Sequence, residues 1–508
     1  MVSERNRKWW TVVLMSLAAT LVIVDVNGLT VALPTIGRDL GASTTGLQWT
    51  INAYLLASAT PLVAVGRLAD IFGRRRVLLI GMVIFIVASA ICGMAQTDWW
   101  LISARAVQGL GGATFFAASL SIVSNAVPPV ERSKGIGVWA GTTGAGAAVG
   151  PFIGGFLTSY LSWRWFFYVN IPVALVIVCL TLILVRESRD ETVGRHVDLA
   201  GLLTLTGGLT ALVVAVQQGG TLGWGSPVIV GCTVVALVLL GLFVVVEPRL
   251  REPLVDLGLF RNWSYFGANV ASFSQNFGLY TMMFLLTLYL QNVLGYSPMQ
   301  TGLVFLALSG LFVVGNPLAG WLEGVIGPRI PLAIGMVVGA VSYFMLTRLT
   351  PTSGLALVIA ALILASVGRS LSFTAATTGG MSVIPEDKAG VASGTLSMVR
   401  HIGSVFGIAM AGGFFKALES NKLASLFTGA GSNFSDPDRK EVRGLLSGSE
   451  AAEAELTRLA PEVAGQVERI VREAFLYGFD GAMLLCVVVS MVGLLAAFLI
   501  DGRVSRAG

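Results

Sequence analysis

The chain has 508 residues, 55% of them apolar and 12% charged, against roughly 45–50% and 25% in soluble domains. That composition excludes a water-soluble fold and, at about 20 residues per crossing, leaves room for well over ten membrane helices. The net charge of +5 does not mark a nucleic-acid surface, because the basic residues lie in short clusters between apolar runs and not along a basic, aromatic-bearing face.

Residues 1–10, MVSERNRKWW, resemble the charged start of a signal peptide, but the apolar run behind them continues to Pro34 without a small-residue cleavage site. It therefore predicts a retained first helix. Apolar stretches at 11–33, 47–65, 77–95, 99–123, 135–157 and 164–185 predict six helices, and 199–217 and 227–246 two more. Those at 263–292, 299–321, 331–349, 354–381, 390–416 and 475–500 complete fourteen. An even number puts both termini on one side. Arg5/Arg7/Lys8, Arg67/Arg74/Arg75/Arg76, Arg132/Lys134, Arg186/Arg189/Arg195, Arg249/Arg251/Arg261 and Arg503/Arg506 all fall on that side, while the opposite short loops hold little beyond Arg38, Arg164 and Arg348. The positive-inside rule makes the termini cytoplasmic and the protein a multi-pass resident of the plasma (inner) membrane. Cys92, Cys179, Cys232 and Cys486 stand singly in apolar stretches, without metal-ligand spacing or a disulfide framework.

GRLADIFGRRR, Gly66 to Arg76, is echoed by GWLEGVIGPRI, Gly320 to Ile330, 254 residues later. Leu40-Gly41-Ala42-Ser43 recurs as Leu294-Gly295-Tyr296-Ser297, and Lys134-Gly135 as Lys388-Ala389, at the same offset. The expected architecture is an all-α polytopic membrane protein of two six-helix units and an inserted pair, with the units arranged as parallel repeats. The first bundle takes 1–190, the inserted pair and its linkers 191–260, and the second bundle 261–508. A long extracellular loop at 418–474 precedes the last helix. It carries ten acidic and seven basic residues, with helical composition from Ser449 to Arg472 and a break at Pro461; a helical hairpin gating the outer mouth and a solvated linker are both open readings.

Asp25 is the one acid that these boundaries place well inside a helix, and intramembrane acids are functional candidates by default. At 1.5 Å per residue it lies about 13 Å deep on the first helix and Arg105 about 9 Å deep on the fourth, within reach of each other. Burial makes a carboxylate hold its proton and a nearby guanidinium makes it let go, so moving the arginine would toggle proton affinity; a permanent interhelical tie is the alternative. Gly146, Gly150 and Gly154, flanked by Pro151 and Gly155, form a small-residue stripe along which a neighbouring helix can approach closely.

In the second half, Asn269, Ser272, Asn276 and Tyr280 share one helical stripe, and Ser393, Ser397, Arg400/His401 and Ser404 another. With Gln275, and with Ser370, Thr374 and Thr377 beside Arg369, they are candidates for a central cavity, although each Ser or Thr alone is explained by interhelical hydrogen bonding. Three arginines and one aspartate within the helices favour neutral or anionic apolar compounds over lipophilic cations. His401 is either a titrating group or a packing residue.

On these motifs the chain resembles the fourteen-helix drug:proton antiporter branch of the major facilitator superfamily over essentially its full length. GRLADIFGRRR resembles the loop between the second and third helices, which implies that Asp70 and Arg74 latch the two halves in one state and that Gly66 and Gly73 permit a tight approach. LISARAVQGLGGA resembles the fourth-helix motif and implies that Arg105 takes part in proton transfer. GAAVGPFIGG, Gly146 to Gly155, is similar to the motif of exporters, and WRWFFYVNIP, Trp163 to Pro172, to the fourteen-helix branch. Thr30 and Asn27 have traded places relative to the branch's usual first-helix pattern, and Glu323 stands only at the cytoplasmic end of the tenth helix. The expectation is a monomeric, proton-coupled exporter of an apolar, neutral or anionic drug-like compound working by alternating access, with a proton-coupled carrier of a specific metabolite, lipid or amino-acid-like solute as the alternative. Its partners are the small-molecule substrate, protons and the bilayer, not nucleic acid. The proton gradient replaces any cofactor: GAGAAVG, Gly144 to Gly150, lacks the Lys-Ser/Thr ending of a nucleotide loop, and no Cys/His or paired-carboxylate set lies at membrane depth to suggest an enzyme.

Overall fold

A computed structural model describes residues 4–128, 131–189, 198–250, 253–385, 388–429 and 461–502. Arg195, Arg251, Arg503 and Arg506, and the middle of the acidic loop, including Ser449, lie outside the described residues. In chain order the helices are α1 (Glu4–Leu40), α2 (Thr44–Ala59), α3 (Pro61–Phe72), α4 (Arg74–Gly93), α5 (Asp98–Ala126), α6 (Arg132–Tyr160), α7 (Trp163–Tyr168) and α8 (Asn170–Leu184). There follow α9 (Leu199–Leu222), α10 (Pro227–Val246), α11 (Trp263–Leu288), α12 (Pro298–Ile326), α13 (Arg329–Leu346), α14 (Leu355–Met381), α15 (Ala389–Phe406), α16 (Gly412–Gly429) and α17 (Pro461–Ala497). Short polar turns start them. Ser43, Thr97, Asp198, Ser226 and Asn262 each accept a first-turn N–H, and Ser297 with Gln300 forms a reciprocal capping box, satisfying donors that a membrane core would leave bare.

Among the described residues eleven helices are long and apolar enough to cross a membrane, or twelve if α2 and α3, bent by 50° at Thr60–Pro61, make one span. The count of fourteen is not reached on that measure. The two expected stretches that fall short, α6 and α11, are 29 and 26 residues long, but glycine and threonine in one and Ser, Gln and Asn in the other replace the aliphatic residues that apolarity requires.

The sharpest departure from the expected boundaries is at 418–474. The segment from Ser449 to the expected break at Pro461 lies outside the described residues; α16 continues to Gly429 and α17 spans Pro461–Ala497, so both ends of the expected loop are helix and α16 packs against α17. The charges there read as loop but pair: Lys416 with Glu419 at 2.9 Å and Lys422 with Glu473 at 3.2 Å.

All five residues with positive φ among those described are glycines, and four form two pairs at the repeat offset: Gly41 with Gly295 and Gly73 with Gly327. The two halves meet at the end of the molecule opposite the chain termini. There Gln291 donates to the Val31 carbonyl at 2.8 Å, Met299 N–H to Ser159 Oγ at 2.9 Å, and Arg38 reaches Asn292 at 3.5 Å. α6 and α12 touch backbone to backbone, since a Cβ on Gly155 would stand 2.4 Å from the Pro298 oxygen and one on Gly302 2.4 Å from the Pro151 oxygen. Of the inserted pair, α10 packs mainly on α9, whose Gln217 donates to Thr45 O and accepts from Asn52, both at 3.2 Å.

Candidate functional site

Asp25 and Arg105 face each other with 0% and 1% of their side chains exposed, and Arg105 Nη1 donates to Asp25 Oδ2 at 2.5 Å. The other carboxylate oxygen, Oδ1, accepts from Asn170 Nδ2 at 2.8 Å and Gln108 Nε2 at 3.1 Å. Arg105 also donates to Gln108 Oε1 at 2.6 Å and to the Thr50 carbonyl at 3.3 Å, and its guanidinium lies 4.1 Å above the Tyr54 ring. Gln108 Nε2 further bonds Ser89 at 2.9 Å. The members come from five helices: Asp25 from α1, Thr50 and Tyr54 from α2, Ser89 from α4, Arg105 and Gln108 from α5, and Asn170 from the start of α8 after the break at Val169. A buried pair of this kind persists only because its remaining lone pairs and protons are satisfied, and any motion separating α1 from α5 disturbs all of these bonds together.

The sequence motifs held part of this. Gln108 follows Arg105 by three residues and so shares its face, and Asn170 stands inside WRWFFYVNIP; either could have been chosen on spacing. Tyr54, Ser89 and the Thr50 carbonyl carried no signal. The exchanged Thr30 and Asn27 do not touch Asp25: Asn27 donates to Ile23 O and Thr30 to Asn27 O, both within α1.

The glycine stripe of α6 is where α1 comes closest. A Cβ on Gly154 would stand 2.1 Å from the Gly28 oxygen, one on Gly146 2.6 Å from Thr20 Cγ2, and one on Gly150 3.2 Å from the Val24 oxygen. Gly155, beside Pro151, instead faces α12 as described above, so the string holds α1 with one face and the other half of the molecule with the next.

In the loop motif, Asp70 bonds Arg74 at 2.8 Å within the same half. Gly73 has φ 108° and lies against Glu187, whose carboxylate accepts the N–H groups of Arg75 and Arg76 at 3.0 and 3.2 Å. That carboxylate therefore sits on the positive end of α4. A Cβ on Gly66 meets nothing within 4 Å, so the tight approach expected there is absent in this conformation.

The polar stripe expected on α11 divides. Asn269 and Ser272 are buried against neighbours, whereas the partly open stripe is Val270, Phe273, Asn276 and Tyr280. Gln275, also buried, donates to the Arg369 carbonyl at 2.8 Å. Arg369, Arg400 and His401 remain partly open. The guanidinium of Arg369 lies 4.1 Å over Phe312 and that of Arg400 4.2 Å over Phe373, and Arg400 Nη2 donates to Thr377 at 2.5 Å. Glu323 is buried near the end of α12, so Asp25 is not alone among the described residues as a buried acid.

These features define a polytopic helical carrier: two related bundles in contact with each other, the first of which holds a buried charge pair. The chain belongs to the Major Facilitator Superfamily, whose family model matches residues 15–408. It is 38% identical over 414 residues to multidrug resistance protein Stp of Mycobacterium tuberculosis, covering 81% of this chain and 77% of that one. It is 30% identical over 491 residues to the tetracenomycin C resistance and export protein of Streptomyces glaucescens, covering 96% and 90%, and 36% identical over 409 residues to puromycin resistance protein pur8 of Streptomyces alboniger, covering 80% and 81%. A bacterial homologue of the human lysosomal transporter Spinster, solved inward-facing and occupied, superposes with a TM-score of 0.68 at 16% identity over the whole of both chains; that likeness is one of fold.

Proposed function

We propose that the protein is a proton-coupled exporter of apolar, neutral or anionic drug-like compounds, working by alternating access. The observation that carries this is the buried Asp25–Arg105 pair, bonded by groups from both α2 and α8, together with relatives named for antibiotic resistance and export. Protonation of Asp25 removes the charge that holds Arg105, so the bonds joining α1, α5 and α8 weaken together and the bundle is released toward its other state. Repeated protonation and deprotonation then rocks residues 1–190 against 261–508 about a site between them, with 191–260 as an inserted pair. In this reading the chain crosses the plasma membrane fourteen times as a monomer with both termini cytoplasmic, needs no cofactor and catalyses no reaction. The present conformer, held by the contacts of Gln291, Met299 and Arg38, is then the one closed to the outside.

The membrane potential, about 2.3 kcal/mol per charge per 100 mV, and the proton gradient both drive entry of the proton. Everted vesicles loaded with a dye panel test the reading. Uptake that collapses with a protonophore and is lost in Asp25→Asn is expected; uptake insensitive to both, or movement only in the opposite direction, overturns it.

A further inference from the structure

Two partly open guanidinium groups within the helices of the second half have no carboxylate partner among the described residues. Arg369 and Arg400 make no ion pair among the described residues, in contrast to Arg105, whose charge Asp25 cancels. Their partners are aromatic faces and neutral oxygens. Arg369 stacks on Phe312, Arg400 stacks on Phe373, and the two rings meet edge to face at 5.9 Å, so one aromatic pair backs both cations. Arg400 donates to the Thr377 hydroxyl, and its Nε is buried with no acceptor at all. The other titratable neighbours are Tyr280 and Tyr343 beside Arg369 and His401 beside Arg400; none of these supplies a negative charge near neutral pH.

Ring faces and single hydroxyls offset only a small part of the cost of holding a guanidinium away from water. What would satisfy both is an anion whose oxygens accept their unused N–H donors, the bidentate geometry for which guanidinium is suited. Tyr280 belongs to the partly open stripe of α11, and Arg400 stands on α15, which packs against α2 and α3 of the first half. Arg400 therefore stands on a helix that borders the first half.

We propose that Arg369 and Arg400 form an oxyanion-binding subsite that takes the carboxylate or sulfonate of an otherwise apolar substrate, with Phe312 and Phe373 as its backing. The assignment rests on the exporter reading and narrows its substrate class to organic monoanions. It also fixes the charge movement: one proton in against one monoanion out carries two charges across the membrane in the same electrical sense, whereas a neutral compound carries one.

The test uses the full-length protein with two matched probe pairs, pyrene-1-butyrate and its methyl ester, and anilinonaphthalene sulfonate and its uncharged sulfonamide. Binding to the purified protein should favour the anion of at least one pair by about tenfold or more, the factor equal to 1.4 kcal/mol. In proteoliposomes a potassium diffusion potential, applied without a pH gradient, should accelerate efflux of that anion more than that of its neutral partner. Arg369→Gln and Arg400→Gln should each erase the preference for the anion over its neutral partner. If neither anion outcompetes its neutral partner on the wild-type protein, the subsite is refuted without recourse to variants, whatever their folding. A preference that survives Arg369→Gln together with Arg400→Gln refutes it as well. Loss of proton-coupled transport for every probe in wild-type vesicles would instead sink the exporter reading, so the two failures are distinct.

Discussion

Replacing Asp25 by Asn removes one negative charge and almost no volume. Arg105, 1% exposed, would then rely on Gln108 Oε1 at 2.6 Å, the Thr50 carbonyl at 3.3 Å and the face of Tyr54. Removing one partner of a buried ion pair typically costs about 3–5 kcal/mol, because the surviving charge is left uncompensated. A partly exposed pair such as Asp70–Arg74, with 29% of the aspartate side chain in contact with solvent, is expected to cost at most about 1 kcal/mol when broken. The same difference sets the conformational lever. Roughly 5.5 kcal/mol carries a two-state equilibrium from 1:99 to 99:1, so losing the Asp25 charge, by mutation or by protonation, is large enough to move most of the population. Thermal denaturation in one detergent should show a midpoint drop for Asp25→Asn several times that for Asp70→Asn. Adding Arg105→Gln to Asp25→Asn should recover part of the loss, since it removes the orphaned charge. Equal drops for the two single variants, or a double variant less stable than Asp25→Asn, would refute the reasoning.

Gly154→Ala places a Cβ 2.1 Å from a backbone oxygen of Gly28, and a collision with backbone cannot relax by rotamer; a loss of about 1–3 kcal/mol is expected, read as a lower thermal midpoint together with a longer spin-label distance between α1 and α6. Gly73→Ala forces a side chain to φ 108° and into Glu187 and should lose at least about 1–2 kcal/mol, whereas Gly66→Ala, which meets nothing within 4 Å, should stay within about 0.5 kcal/mol in the same denaturation assay. Asn170→Leu leaves Asp25 Oδ1 with Gln108 as its one donor, and a loss of about 1–3 kcal/mol should appear as a midpoint drop between those of Gly66→Ala and Asp25→Asn.

Hydropathy is a property of contiguous residues, so the sequence alone located nearly every helix: α10 was expected at 227–246 and occupies Pro227–Val246. It went wrong where charge and apolarity disagree. The ends of 418–474 look like solvated loop until Lys422 meets Glu473 across the α16–α17 hairpin; α6 and α11, by contrast, are helices where 135–157 and 263–292 predict them, despite their glycine and amide content. The depth of Asp25 and Arg105 was countable from the helix ends because the rise per residue is fixed.

Which groups complete that pair was decided only in three dimensions. Asn170 and Thr50 reach it across 145 residues of chain from Asp25 and 55 from Arg105, distances over which no periodicity survives. Sequence likewise offered Arg369 and Arg400 as two cations among many polar residues, and tertiary packing alone shows that they share one aromatic pair and have no carboxylate partner among the described residues. Local pattern fixes where a helix runs and how deep a residue sits; the cost of burying a charge depends on every neighbour around it, and those neighbours are chosen by how the helices pack.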